Sequence, residues 1–309
     1  MRKWSKYNRE LVERARVDLY FSEEILQKWY NTGSQGAHRP KKYSNLAIES
    51  CLLIRCLFQL PYRQTEGIVR SLLHMLGAKN IKVPSYSQIN RRQGDCEIDE
   101  RIKQVISCGD KIIIAVDSTG LSLQTPGQWH QRKHGAKKSK WIKLHAAIDV
   151  STGEVLDHRL TDSNYSDSKA AEEMLEKGNL GDIEVGELLG DGAYDTKELY
   201  KILHKKEIKP NVRIRRDAIH SNGQKSELNW RDEQIYESLK KKWQYPELDR
   251  KELFRLQRLK QNYGRRSKVE NLFSRFKAIF GDSLQSRKMH NIKTEIATKI
   301  AILNKFTTG

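Results

Sequence analysis

The chain has 309 residues, with 57 Lys and Arg against 39 Asp and Glu and a formal charge of +18. That length supplies a real core and suits about two domains, and the cationic excess suits a polyanionic partner, nucleic acid first and an anionic membrane surface second. A mean hydropathy of −0.75, with no apolar run long enough to span a bilayer, argues against a membrane protein, and the opening MRKWSKYNRELVERA carries no secretory signal.

Residues 1–107 read as helical. YSNLAIESCLLIRCLF has apolar residues at helical spacing with Ser44 placed to cap it, Leu60-Pro61 interrupts, and RQTEGIVRSLLHML follows as a second helix that stops near Gly77. After Pro84, SYSQINRRQ reads as a short basic helix. Paired helices ending in Gln88, Asn90, Arg91 and Arg92 resemble a helix-turn-helix, which makes Arg91 and Arg92 candidate DNA contacts, although a purely structural bundle has the same pattern. Upstream, His38-Arg39-Pro40-Lys41-Lys42 is a phosphate-tracking arm or a solvated linker. Cys51, Cys56, Cys96 and Cys108 show neither CxxC nor Cys/His ligand spacing, so buried reduced thiols of a cytoplasmic protein are expected.

From Lys111 the pattern turns to strands. IIIAVD is a continuous apolar run ending at Asp117, as in a buried central strand. WIKLHAAID alternates, with Ile142, Leu144, Ala146 and Ile148 opposite Lys143, His145 and Asp149; Ser151-Thr152-Gly153 turns the chain, and EVLDHRL returns. Asp167 opens a helix to about Lys177, EVGELLGD is a strand ending at Asp191, Asp195 with Glu198 forms a capping box for TKELYKILHKK, and KPNVRIR is a fifth strand. Three strands, helix, strand, helix, strand and a later helix is the order of a ribonuclease-H-like mixed sheet. Residues 217–262 read as a charged, mostly helical insertion with 10 Lys and Arg against 8 Asp and Glu.

Two stretches concentrate positive charge. WHQRKHGAKKSKWIK, residues 129–143, has six Lys and Arg, no acid and a tryptophan near each end, so Trp129, Lys133, Lys137 and Lys138 are candidate backbone-tracking and base-stacking residues; a solvated hairpin tip is the plainer reading. Residues 255–288 hold 10 basic residues against only Glu270 and Asp282. Within them, YGRRSKVENLFSRFK places Tyr263, Arg266, Glu270, Ser274 and Lys277 on one helical stripe, beside an apolar stripe of Val269, Leu272, Phe273, Phe276, Ile279 and Phe280.

Asp117 and Asp191 each follow an apolar strand, and parallel strands converge on the sheet edge where such folds place their sites. With the helical Glu270 they form an oxygen-only donor set suited to two Mg²⁺ ions, with Mn²⁺ as a substitute. Each carboxylate alone is more simply a turn or helix cap.

The Tyr263/Arg266/Glu270/Lys277 signature, the DGAYD run at 191–195 and the AVDSTG run at 115–120 resemble bacterial insertion-sequence transposases of the DDE type, within the IS five family. The likeness spans nearly the whole chain. It implies that Asp117, Asp191 and Glu270 are the catalytic, metal-holding triad and that Tyr263, Arg266 and Lys277 touch DNA near the cut. It further implies that the N-terminal region binds terminal inverted repeats, that target DNA is the second partner, and that the working form is a homodimer or larger synaptic complex on the bacterial nucleoid. The expected layout is a helical DNA-binding region at 1–107, a catalytic core at 108–216, an insertion at 217–262 and C-terminal core helices at 263–309. Two other classes carry the same features: a DNA-binding regulator that has lost catalysis, and a structure-specific nuclease that cuts without joining.

Overall fold

The computed structural model describes residues 12, 21–31, 41–96, 98, 111–123, 141–215, 218–219, 230–236, 252 and 262–308. Its helices are α1 (Glu23–Gln27), α2 (Asn45–Leu57), α3 (Tyr62–Met75), α4 (Tyr86–Arg92), α5 (Asp167–Lys177), α6 (Lys197–Lys205), α7 (Ser267–Phe280) and α8 (Met289–Thr308). Its strands are β1 (Ile112–Leu123), β2 (Trp141–Asp149), β3 (Val155–Asp162), β4 (Val185–Gly190), β5 (Lys209–Val212) and the short β6 (Ser283–Leu284). The described residues divide into two compact units. One lies within Met1–Ile102, Ser122–Ser139 and Phe276–Gly309, the other within Lys103–Leu121 and Lys140–Arg275.

The first unit is helical. Ser44 caps α2 by accepting from the Ala47 N–H, and Ser85 with Gln88 forms a capping box at the start of α4. Trp29, Ile48, Leu52, Leu73 and Ile89 meet in its core, where Cys51, Cys56 and Cys96 are also buried. Residues 276–309 group with the N-terminal helices. A row of buried polar side chains lies on α8. Glu295 pairs with Lys299 at 2.9 Å and with Arg55 of α2 at 3.9 Å, and each of the three is less than 5% exposed. Such a cluster is satisfied only where its partners sit, and helical periodicity carries no trace of them.

The second unit is built on a sheet ordered β3-β2-β1-β4-β5, a ribonuclease-H-like mixed sheet. β2 and β3 pair antiparallel from Ile142↔Asp162 to Ile148↔Val155 around a turn in which Gly153 takes φ +81°, a conformation that suits glycine. β1 and β4 pair parallel, as do β4 and β5, so helices α5 and α6 serve as the crossovers that parallel neighbours require. Ile114, Val116, Leu188, Tyr200, Leu203 and Val212 fill the core between sheet and helices. The alternation read in β2 fails on its polar side: His145, Ala147 and Asp149 are buried too, because β2 is an interior strand. Asp149 is satisfied there by the Ser151 N–H at 2.7 Å and the Thr152 hydroxyl at 3.0 Å.

The cap of α6 also differs from expectation. Thr196, not Asp195, accepts from the Leu199 N–H. Asp195 is buried and takes the Arg231 guanidinium at 2.7 Å together with the Arg215 N–H at 2.9 Å. Residues 230–236 supply that arginine from the insertion, most of which lies outside the described residues, as do Trp129, Lys133, Lys137, Lys138, Cys108 and residues 38–40.

Candidate active site

Three elements of the second unit carry the acids. β1 pairs with β4 up to Ala115↔Leu189, and Asp117 stands just past that last rung. The strand does not end there as read from sequence; it runs on to Leu123, where Ser122 and Leu123 take β6 as a new partner. Asp191 directly follows β4 and caps the 3-10 turn Gly192–Tyr194, its Oδ1 accepting from the Ala193 N–H at 2.8 Å. Glu270 lies in the first turn of α7 on its exposed face. The opposite face, with Val269, Leu272, Phe273, Phe276 and Phe280, is buried as the periodicity requires.

Arg266 gathers these groups. Its Nη1 donates to Asp117 Oδ2 at 3.1 Å and its Nη2 donates to Glu270 Oε1, so one guanidinium fork spans a strand residue and a helix residue 149 positions and four positions away. Burial pushes the Asp117 carboxyl above the usual carboxylate range; the Ser118 N–H and Arg266 draw it back, and the charge of Asp191 raises it further. Asp117 and Asp191 therefore feel one another directly. Among the described residues no three His, Cys, Asp or Glu side chains lie close enough to hold a metal ion together, because Glu270 meets Asp117 through the guanidinium. Asp117 and Glu270 contribute carboxylate oxygens, the donor type a hard divalent cation takes, and here they share the one positive charge of Arg266.

The turn before α7 is pinned from below. Tyr263 is buried, and its hydroxyl donates to the Gly190 carbonyl at 3.0 Å, one residue before Asp191. Arg265 pairs with Glu187 of β4 at 2.8 Å. Tyr263, expected from sequence at the DNA, has its polar end engaged inside the protein. Arg92 is likewise engaged: it donates to the Tyr43 carbonyl and to Asn45 Oδ1. Arg91 and Lys277 are exposed.

The description "Transposase DDE domain" matches residues 109–305, and a second family of the same description matches residues 12–125. The chain belongs to the DDE transposase family. The longer match contains Asp117, Asp191 and Glu270. Two solved structures are similar at 11% identity: a Mos1 pre-cleavage transpososome, over 59% of this chain and 62% of that one with a TM-score of 0.22, and a Mos1 transposase paired-end complex with the left transposon end, over 69% and 81% with a TM-score of 0.23. The first match spans less than two thirds of that chain, and scores this low give no residue correspondence.

In this DDE transposase chain, sequence reasoning missed a second polar group beside Asp117. Asp167 takes Lys143 Nζ at 3.2 Å and has His145 Nδ1 at 3.2 Å. Burial works against its charge, but the neighbouring His145, Ser118 and Lys143 win and lower it to about 2. Ser118 adjoins Asp117, so this cluster braces the strand that carries Asp117. The Tyr194 hydroxyl is buried and pushed far up by that burial and by the charges of Asp117, Asp167 and Asp191. DGAYD held the signal for Tyr194. Nothing local marked Asp167, which sequence alone makes a helix-opening acid.

Proposed function

We propose that the chain is a metal-dependent DNA transposase whose N-terminal helices hold terminal inverted repeats and whose Asp117, Asp191 and Glu270 carry the chemistry, and we place it in the IS five group, near the element flanking transposon Tn-nine-oh-three. The observation that carries this reading is the Arg266 fork, which draws Asp117 and Glu270 to one point although they lie far apart in sequence. Mg²⁺, with Mn²⁺ as a substitute and two ions in all, would be held by these carboxylates and would supply the charge that activates water and steadies the leaving oxygen. Water attacks phosphorus at the element end, the P–O3′ bond breaks, and a 3′-hydroxyl is freed. That hydroxyl attacks a target phosphodiester, whose own 3′-oxygen leaves, so strands are joined without a covalent protein intermediate.

The residues of this chain divide the work. Tyr263 and Arg265 tie the start of α7, which carries Glu270, to β4, which Asp191 directly follows. Arg266 is the donor for a non-bridging phosphate oxygen once it leaves Glu270. Lys277, Arg91 and the basic stretch with Trp129, Lys133, Lys137 and Lys138 hold DNA backbone. Paired element ends call for a homodimer or larger synaptic assembly, working on the nucleoid. No helix among the described residues is long and apolar enough to cross a membrane.

The deciding experiment uses a supercoiled plasmid carrying the element's ends. Wild type with Mg²⁺ nicks at those ends, and Glu270→Ala stops nicking while leaving end binding intact. Equal binding with no cutting by either protein would overturn the catalytic reading in favour of a regulator. Nicking without strand transfer from pre-cut ends would make the chain a nuclease.

A further inference from the structure

The helical unit contains a cleft of about 490 Å³, of whose lining only Arg91 has been given a role above. Arg91 of α4 lines it, with Ser286, Arg287, Lys288, His290 and Asn291 from the segment that leads into α8. Arg91, Arg287 and Lys288 are exposed, and none pairs with an acid among the described residues. The first turn of α8, a 20-residue helix, opens here and adds the positive end of its dipole.

The cleft is built rather than incidental. Glu295 accepts from the Gln285 N–H at 3.1 Å and the Ser286 N–H at 2.8 Å, which fixes the segment from below. Gln93 donates to the Asn291 carbonyl at 2.8 Å and to the Ser286 hydroxyl at 3.3 Å, while Tyr62 donates to Gln93. Gly94 lets the His290 ring lie against the 3-10 turn at Gln93–Asp95; a Cβ at position 94 would stand 2.3 Å from His290 Cδ2. Asn291 is only 7% exposed, yet its Oδ1 has no donor. A buried acceptor left open beside three uncompensated cations asks for a ligand that brings both negative charge and an N–H group.

We infer that this cleft takes a DNA strand, with a backbone phosphate on Arg287, Lys288 and Arg91 and an amino group of the adjoining base on Asn291. The inference rests on the reading of the chain as a DNA-acting enzyme. It assigns the far end of the polypeptide, residues 286–291, to DNA holding alongside α4. The volume admits a nucleotide, and the clamped segment binds without first having to be ordered.

The test is binding of the full chain to labelled duplex and single-stranded DNA in chelator, by fluorescence anisotropy over a range of salt. Arg287→Gln/Lys288→Gln is compared with wild type and with Lys205→Gln/Lys206→Gln, an equal charge loss on exposed residues of α6 and just beyond. The cleft variant is expected to bind roughly tenfold more weakly, with the slope of log affinity against log salt shallower by about two. The control pair keeps the wild-type slope. A cleft variant that binds as wild type does, or a control that loses as much, overturns the inference. Plasmid nicking separates the two readings. A wild type that nicks element ends, with an unchanged slope in the cleft variant, removes only the cleft; a wild type that binds no DNA at any salt removes both.

Discussion

The Tyr263 hydroxyl donates to the Gly190 carbonyl across 3.0 Å, joining the turn before α7 to the last residue of β4. Asp191 follows immediately on one side of this link, and Glu270 stands two turns along on the other. Tyr263→Phe deletes the donor while the Gly190 carbonyl keeps the Arg213 N–H at 3.2 Å, so the cost is that of one hydrogen bond, about 0.5–1.5 kcal/mol. Urea denaturation measures that loss, and nicking should fall more steeply than stability because the spacing of Asp191 and Glu270 loosens.

Asp167 gives a pH signature. Its carboxyl lies at about 2 in the folded chain, against ~3.9 in an unfolded one. The stability this contributes is complete above pH ~4 and disappears as the pH falls through about 2; its size is about 1–2 kcal/mol. Denaturation of Asp167→Asn and wild type at pH 7 and in steps below pH 4 should show the gap between them closing toward low pH. A constant gap would mean that His145 and Lys143 do not hold the carboxylate charged.

Glu295 sits between two buried cations. Glu295→Ala leaves Arg55 and Lys299 without their shared partner and should destabilise the helical unit by about 3–5 kcal/mol. Replacing all three with apolar residues, Arg55→Met, Glu295→Leu and Lys299→Leu, removes the stranded charge but not the loss of the acceptor for the Gln285 and Ser286 N–H groups, so it should recover part of the stability. If the triple variant melts as low as the single one, the damage comes from packing and those two N–H groups and not from stranded charge.

Arg266→Gln removes the cation shared by Asp117 and Glu270. In chelator the variant should melt below wild type, by about 1–3 kcal/mol in stability, and added Mg²⁺ should raise its Tm more than that of wild type. Equal Mg²⁺ shifts in both proteins would show that the guanidinium and the ion do not compete.

Much of the sheet was legible because strand patterning is local. The apolar run before Asp117, the Ser151–Gly153 turn and the apolar stripe of α7 each lie within a few residues, and each corresponds to an element in the structure. What was not legible depends on distant partners. Asp195 reads as a cap until Arg231 arrives from the insertion, and Tyr263 reads as a surface aromatic until Gly190 is beneath it. Asp167 shows nothing of Lys143 and His145, which come from a neighbouring strand. The placement of α8 turns on Arg55, more than two hundred residues earlier.

The Arg266 bridge has a practical meaning for anyone handling this protein. A polypeptide that brings its own counterion to its acids needs no dissolved salt of magnesium to reach its shape, so EDTA should yield an assembled, silent preparation rather than a precipitate. Such a stock can be loaded onto DNA at leisure and started by a single addition, with time zero set by the experimenter.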